Sequence, residues 1–345
     1  MRKDNFQYNI KPLSLNEKIN FFAQLQAYMS ASVPISTSLM NIKKYSNEQK
    51  IKQIATILLQ DMDSGKSFSD SILKFKNTLG GAYCQILSIG EQSGALPKII
   101  NDIHSSLIRQ QTVIMNLIKS SVYPAFLLLV LSGSSLLLIF FIAPRMAKQA
   151  SMLGAEPSAT MLALESLAGF LQNNYFALAI IFILAIYGIK EFFKYLFTTE
   201  LGAKSLGLGT VIRNYNISNF TKILAISYSA GVPITHALML SASAVPNKYM
   251  QNLLFKTSAF VTKIPLTEAF AQTGLFAPHM LTQIQAGELS GNLDKTLFEI
   301  SRKIDENLET AISAILKILE PTLILLIGGF IVLYGVAMMG TIFMI

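Results

Sequence analysis

Charge is scarce in this chain. Only 14% of its 345 residues are charged, whereas 52% are hydrophobic and the mean hydropathy is +0.46. Soluble globular domains carry roughly 25% charged residues, so the composition excludes an ordinary soluble protein. Even so, 28 basic and 20 acidic residues remain, and a sizeable part of the chain must meet water. Cysteine is nearly absent. Cys84 stands alone, which excludes an intramolecular disulfide and a cysteine-built metal site. His104, His236 and His279 lie far apart, without metal-ligand spacing, so neither a metal nor a cofactor is expected. There is no Arg-rich stripe or aromatic platform for nucleic acid. The net charge of +8 fits a membrane protein facing anionic headgroups better. The opening MRKDNFQYNIKPLSLNEK lacks the apolar core of a signal peptide, and the N-terminus is expected to stay in the cytoplasm.

The apolar residues are gathered into runs. Residues 123–143 and 321–345 contain no charge, and each matches the roughly 20 residues that a bilayer helix needs. A third run, 174–189, is shorter, but neutral residues extend it back to Leu167. Ion-coupled transporters and proton-driven motors carry ionisable groups inside their spans, and the outer two runs have none. Basic residues orient the chain. Residues 1–120 hold fourteen Lys and Arg against eight acids, and residues 190–320 hold twelve against ten, whereas 144–173 has only Arg145 and Lys148 as basic residues. The first two stretches are therefore expected in the cytoplasm and 144–173 outside. The C-terminus then lies at the outer face.

The chain also repeats itself. SVPISTSL at 32–39 matches GVPITHAL at 231–238, FSDSI at 68–72 matches LTEAF at 266–270, and GEQSGAL at 90–96 matches GELSGNL at 287–293. YPAFLLL at 123–129 then matches EPTLILL at 320–326. The order is kept while the offset drifts from 199 to 197 positions, which marks a duplication. Both copies start in the cytoplasm and cross outward, so one extra span must return the chain between them. This parity supports the weak middle run.

Within each copy the period is helical. Leu293, Leu297, Ile300, Ile304, Leu308, Ala311 and Ile315 recur every three or four residues, as do Leu96, Ile99, Ile100, Ile103 and Leu107. Each set is one stripe of an amphipathic helix that continues toward the membrane. Only Pro124 and Pro321 interrupt these helices. Each removes a backbone donor, and a kink is expected there. Strand signals are almost absent. The expected fold is an all-α membrane protein with two duplicated cytoplasmic bundles of about five or six helices each and three transmembrane helices. Its boundaries fall at 1–17 for a polar tail, 18–120 for the first bundle, 121–143 for the first span, 144–166 for an outer loop and 167–189 for the second span. A linker at 190–217, the second bundle at 218–319 and the last span at 320–345 complete the chain.

Candidate chemistry is thin. DSGKS at 63–67 ends like a phosphate-binding loop, but that pattern needs glycine where Gln60 stands. A helix stop at Gly65 followed by a cap at Ser67 explains it better. No catalytic cluster is visible, so no enzyme is expected. The repeated word itself falls between two apolar helices. Gly94 and Gly291 suit a left-handed helix end and Gly90 and Gly287 a close helix approach, while Ser93 and Ser290 complete the word as structural or partner-contact positions. Glu91 and Glu288 have two readings. Each either binds helix N-terminal amides or a nearby lysine, or contacts a partner protein.

These residues resemble a family. Two copies of V-P-x-x-x-x-L, then G-E-x-S-G-x-L, then Tyr123-Pro124 or Glu320-Pro321 opening an apolar helix, are similar to the PilC/GspF family of inner-membrane platform proteins of type IV pili and type II secretion. The resemblance covers about residues 18–140 and 218–345. It implies a multi-pass protein of the bacterial inner membrane without enzymatic activity, forming a homodimer or small homo-oligomer. It implies coupling of a cytoplasmic assembly ATPase to the insertion of pilins or pseudopilins into a filament, alongside other inner-membrane assembly proteins. One departure is Ala23 in FFAQL at 21–25, where members often carry arginine. The competing reading from the apolar runs alone is a polytopic transporter or channel subunit.

Overall fold

The protein is described as a computed structural model, in which residues 10–142, 195–204, 208–342 and scattered positions between 144 and 194 are described. Every regular element among the described residues is helical. The polar tail before residue 10, most of the expected outer loop and most of the expected span at 167–189 lie outside them.

Helix α1 (Leu15–Ser30) starts on a capping box, in which Ser14 Oγ accepts the Glu17 amide and Glu17 accepts the Ser14 amide at 2.7 Å. It buries Phe21, Phe22 and Leu25. Helices α2 (Ile35–Tyr45) and α3 (Gln49–Asp63) add Leu39, Ile42, Ile51, Ile54 and Leu58 to the same core. At the end of α3, Gly65 takes a φ of +83° and Ser67 caps α4 (Phe68–Ile72) by accepting the Asp70 amide at 3.0 Å. DSGKS is thus a helix-to-helix junction. A 3-10 turn at Leu73–Phe75 leads to α5 (Lys76–Leu79) and α6 (Gly81–Gln92). Helix α7 then runs unbroken from Leu96 to Leu137, with a π-helical continuation at Leu138–Ile142.

The second copy repeats this order. After a short α8 (Glu200–Lys204) come α9 (Leu208–Ser229), α10 (Ile234–Ser243), α11 (Lys248–Phe260), α12 (Leu266–Ala271), α13 (Pro278–Ser290) and α14 (Leu293–Ile342). The turns match in detail. In the first copy Ser32, at φ +58°, donates to the Met29 carbonyl at 3.0 Å and Val33 to Tyr28 at 3.1 Å; in the second Gly231, at φ +81°, donates to Tyr228 at 2.9 Å and Val232 to Ser227 at 3.1 Å. Serine holds a left-handed conformation in one copy that glycine adopts without steric cost in the other.

The chain divides into two compact units. Residues up to Met115 together with Tyr195–Glu309 form the first, and both helical bundles belong to it. Their apolar residues form one continuous core rather than two. Asn116–Lys194 and Thr310–Ile345 form the second unit. Two stretches among the described residues are long and apolar enough to cross a membrane. They lie within Leu96–Ile142, with a hydropathy of 2.6, and Leu293–Gly329, with 1.9. Pro124 and Pro321 lie inside α7 and α14 and end neither helix. Proline removes one N–H, so one carbonyl a turn earlier loses its donor while the bonds on either side carry the helix through.

Candidate functional site: the two Gly-Glu-x-Ser-Gly junctions

The repeated word sits at the α6–α7 and α13–α14 junctions. A helix leaves its first amides without intrahelical acceptors, and here a glutamate from a neighbouring helix supplies them. Glu91 accepts the Phe68 amide at 3.1 Å and the Ser69 amide at 2.6 Å, and the Ser69 hydroxyl also reaches it. Glu288 accepts the Leu266 amide at 2.9 Å, the Thr267 amide at 3.4 Å and the Thr267 hydroxyl at 3.1 Å. Each carboxylate therefore meets the positive end of a short helix, α4 or α12. The two differ in surroundings. Glu91 is half-buried and Glu288 exposed.

The flanking glycines have separate roles. Gly94 and Gly291 adopt φ of +72° and +71°, and the Gly291 amide closes α13 on the Gly287 carbonyl. At Gly90 a methyl group would stand 2.3 Å from Ile99 Cδ1, and at Gly287 it would stand 2.5 Å from Thr296 Oγ1 and 2.8 Å from Thr296 Cβ. Ile99 Cδ1 is the tip of a flexible side chain and can swing aside, whereas Thr296 Cβ is fixed by its backbone. Gly287→Ala should therefore lower stability by about 2 kcal/mol, in the range of overpacking. Gly90→Ala should be nearly neutral, because alanine recovers roughly 0.5–1 kcal/mol of helix preference. Thermal unfolding of the detergent-solubilised variants reads the difference, and equal midpoints would contradict it. Ser93 Oγ lies 3.4 Å from the Gly90 carbonyl and 3.4 Å from that of Ala230, and Ser290 Oγ lies 3.4 Å from the Gly287 carbonyl.

In the second unit, Tyr123 and Glu320, which precede the two prolines, lie close enough to interact electrostatically. The repeat aligns these two positions, but nothing in the sequence signals that they lie close. Also missed was the buried pair of Asp305 with Lys222, joined at 2.7 Å, since the partners stand on helices far apart in sequence.

A cavity of about 490 Å³ lies between the two bundles and is lined by Lys18, Tyr83, Gln110, Tyr215 and Lys222 among others. Burial pushes the Tyr83 phenol up to about 12, and chiefly burial pushes the neighbouring Cys84 thiol up to about 12 as well. Neither supplies a nucleophile. No group of three metal-ligating side chains is gathered among the described residues.

Comparison with known proteins finds the duplication again. The family described as type II secretion system (T2SS), protein F matches residues 21–144 and again residues 220–341. The type IV pilus assembly protein PilC of Pseudomonas aeruginosa is 26% identical over 338 residues, covering 94% of this chain and 88% of that one. The type II secretion system protein F of Vibrio cholerae is 23% identical over 314 residues, covering 89% and 77%. The protein transport protein HofC homolog of Haemophilus influenzae is 25% identical over 363 residues, covering 98% and 86%. Two matches in tandem, spaced as the repeat is spaced and together spanning more than half of the sequence, place the chain in the type II secretion system protein F family, whose members are platform proteins of pilus-assembly and secretion machinery and not enzymes.

Proposed function

We propose that this chain is the inner-membrane platform of a type IV pilus or type II secretion machine and that it couples a cytoplasmic ATPase to the insertion of pilin or pseudopilin subunits. The observation that carries this reading is the continuity of α7 and α14. Each begins in a helical bundle, at Leu96 or Leu293, and continues without a break into an apolar stretch fit for a bilayer. A helix holds its length and direction through its own hydrogen bonds, so a push on the bundle reaches the apolar stretch directly. A flexible linker would dissipate it.

In this proposal three spans, at 121–143, 167–189 and 320–345, cross the membrane. The bundles at 18–120 and 218–319 face the cytoplasm with the 190–217 linker, and the 144–166 loop faces outward. The basic residues on either side of the apolar runs support that orientation. Deleting the gene should abolish surface filaments or secretion, and expressing the full chain should restore them. The purified protein should hydrolyse no nucleotide by itself and should copurify with the ATPase. Intact filaments together with normal secretion in the deletion strain would overturn the proposal.

A further inference from the structure

The two bundles touch through unlike surfaces, and the duplication leaves each surface with an unused twin. In the first copy the junction face of α6 and α7 receives the α9–α10 turn of the second copy. Ser93 Oγ approaches the Ala230 carbonyl at 3.4 Å, Lys98 Nζ donates to the Ser229 carbonyl at 3.2 Å, and Ser229 Oγ donates to Asp102 at 3.1 Å. Ala230 and Val232 of this turn are 3% and 2% exposed.

Each of these groups has a chemical match in the other copy. Ser290, Lys295 and Glu299 stand 197 positions after Ser93, Lys98 and Asp102, while Ser30, Ala31 and Val33 stand 199 positions before Ser229, Ala230 and Val232. The turn that would dock has the same hydrogen-bond pattern in both copies, as described above. Yet the twins are uncovered. Ser30 and Ala31 are exposed where Ser229 is half-buried and Ala230 buried, and Glu299 is exposed where Asp102 is half-buried; Ser290 and Lys295 are exposed, as Ser93 and Lys98 are in the contact that forms. Leu289 beside them is 82% exposed, and the Glu299 side chain is 66% exposed. Had the two bundles been related by a two-fold axis, the turn of each would cover the junction of the other and nothing would be left over. The contact is instead heterologous, and such a contact offers its free ends to a further copy.

We propose that the exposed turn at Ser30–Val33 of one chain docks on the exposed junction face around Leu289, Ser290, Lys295 and Glu299 of a second copy, repeating between chains the contact that joins the bundles within one. Ser290 and Lys295 can supply the hydrogen bonds that Ser93 and Lys98 make, Glu299 would exchange its Arg302 partner for the Ser30 hydroxyl, and the apolar Leu289 would be sheltered from water by the incoming turn. The interface is independent of the motor assignment, because its readout requires neither ATPase nor filament.

Cysteine cross-linking in native membranes tests it. Differently tagged full-length chains carrying Ala31→Cys and Ser290→Cys are expressed together, with Cys84 left in place because it is fully buried. Oxidation should link the two tags into one dimer, and either variant expressed alone should give none. Ser93→Cys with Ala230→Cys in a single chain should close within the monomer and so calibrate the geometry. Leu289→Asp should reduce the dimer at least several-fold without affecting that internal link. Three results would each overturn the proposal: no mixed dimer, a dimer from either single variant alone, or a link from Ser290→Cys to a different protein only. Failure of the internal link would overturn it too, since the template contact would then be absent.

Discussion

Replacing Asp305 by alanine should cost about 3–5 kcal/mol, the usual loss when one partner of a buried ion pair is removed. Asp305, on α14, accepts from Lys222 at 2.9 Å and from Ser218 at 2.5 Å, both on α9, and its second oxygen lies 2.7 Å from the Lys222 ammonium. The two side chains are only 8% and 12% exposed. Without the carboxylate, the Lys222 side chain has lost its partner in a largely buried position. In a unit of this size the thermal midpoint should fall by roughly 10 °C, and thermal unfolding of the solubilised protein would measure it. The double replacement Asp305→Leu with Lys222→Met should recover most of that loss, because apolar groups of similar volume carry no desolvation penalty. Glu299→Ala offers the contrast. Its pairing with Arg302 lies on an exposed surface, with side chains 66% and 48% accessible, and its loss should cost well under about 1 kcal/mol. A loss at Asp305 as small as that at Glu299 would show that the buried pair is not isolated from solvent.

The stripe on α14 shows both what the sequence carries and where it stops. Leu293, Leu297, Ile300, Ile304 and Leu308 are all at most 6% exposed, and so are Leu96, Ile99, Ile100, Ile103 and Leu107 on α7. Helical period and apolar character suffice to identify them, because a bundle buries whichever face is apolar. The same period continues through Ala311 and Ile315, yet Ile315 is 45% exposed. Nothing in the spacing marks the change. The bundle core ends at Glu309 and the second unit begins at Thr310, and beyond that point an apolar residue no longer signals burial in protein. The left-handed turns at Gly94 and Gly291 are likewise local events, governed by residues within a few positions, and so open to a sequence reading. That Glu91 and Glu288 could bind helix N-terminal amides was open to the sequence, but which amides was not. Each glutamate stands 21 to 23 residues from the amides it accepts, and only the packing of α6 on α4, and of α13 on α12, brings them together. The merger of two bundles into one core was hidden for the same reason. It depends on which faces remain apolar after each bundle has closed, and α9 carries polar and apolar residues around much of its circumference.

Glu91→Ala should destabilise the protein by about 3 kcal/mol and Glu288→Ala by about 1 kcal/mol, although the two residues occupy the same place in the repeat. Both accept two helix N-terminal amides and a hydroxyl, and hydrogen bonds to a charged group contribute about 1.5–3 kcal/mol when solvent cannot replace them. Around Glu91, which is half-buried, solvent is partly excluded. The neighbouring Ser67 satisfies only the Asp70 amide, so the Phe68 and Ser69 amides would be left without an acceptor. Around Glu288 water can step in, because the residue is exposed and borders an open groove of about 630 Å³. Membrane abundance should therefore drop for Glu91→Ala and stay near wild type for Glu288→Ala. That difference separates the two readings of the glutamates. A stable Glu288→Ala protein that no longer binds the ATPase or supports filaments would make Glu288 a partner contact as well as a helix cap. One that supports both normally would leave it the cap alone. Equal destabilisation by the two substitutions would contradict the account, because it would mean that exposure does not govern the strength of the bond. On this physics the first copy of the word is committed to holding its own bundle together, and the second, doing the same work in water, is the one with a carboxylate face still open to another protein.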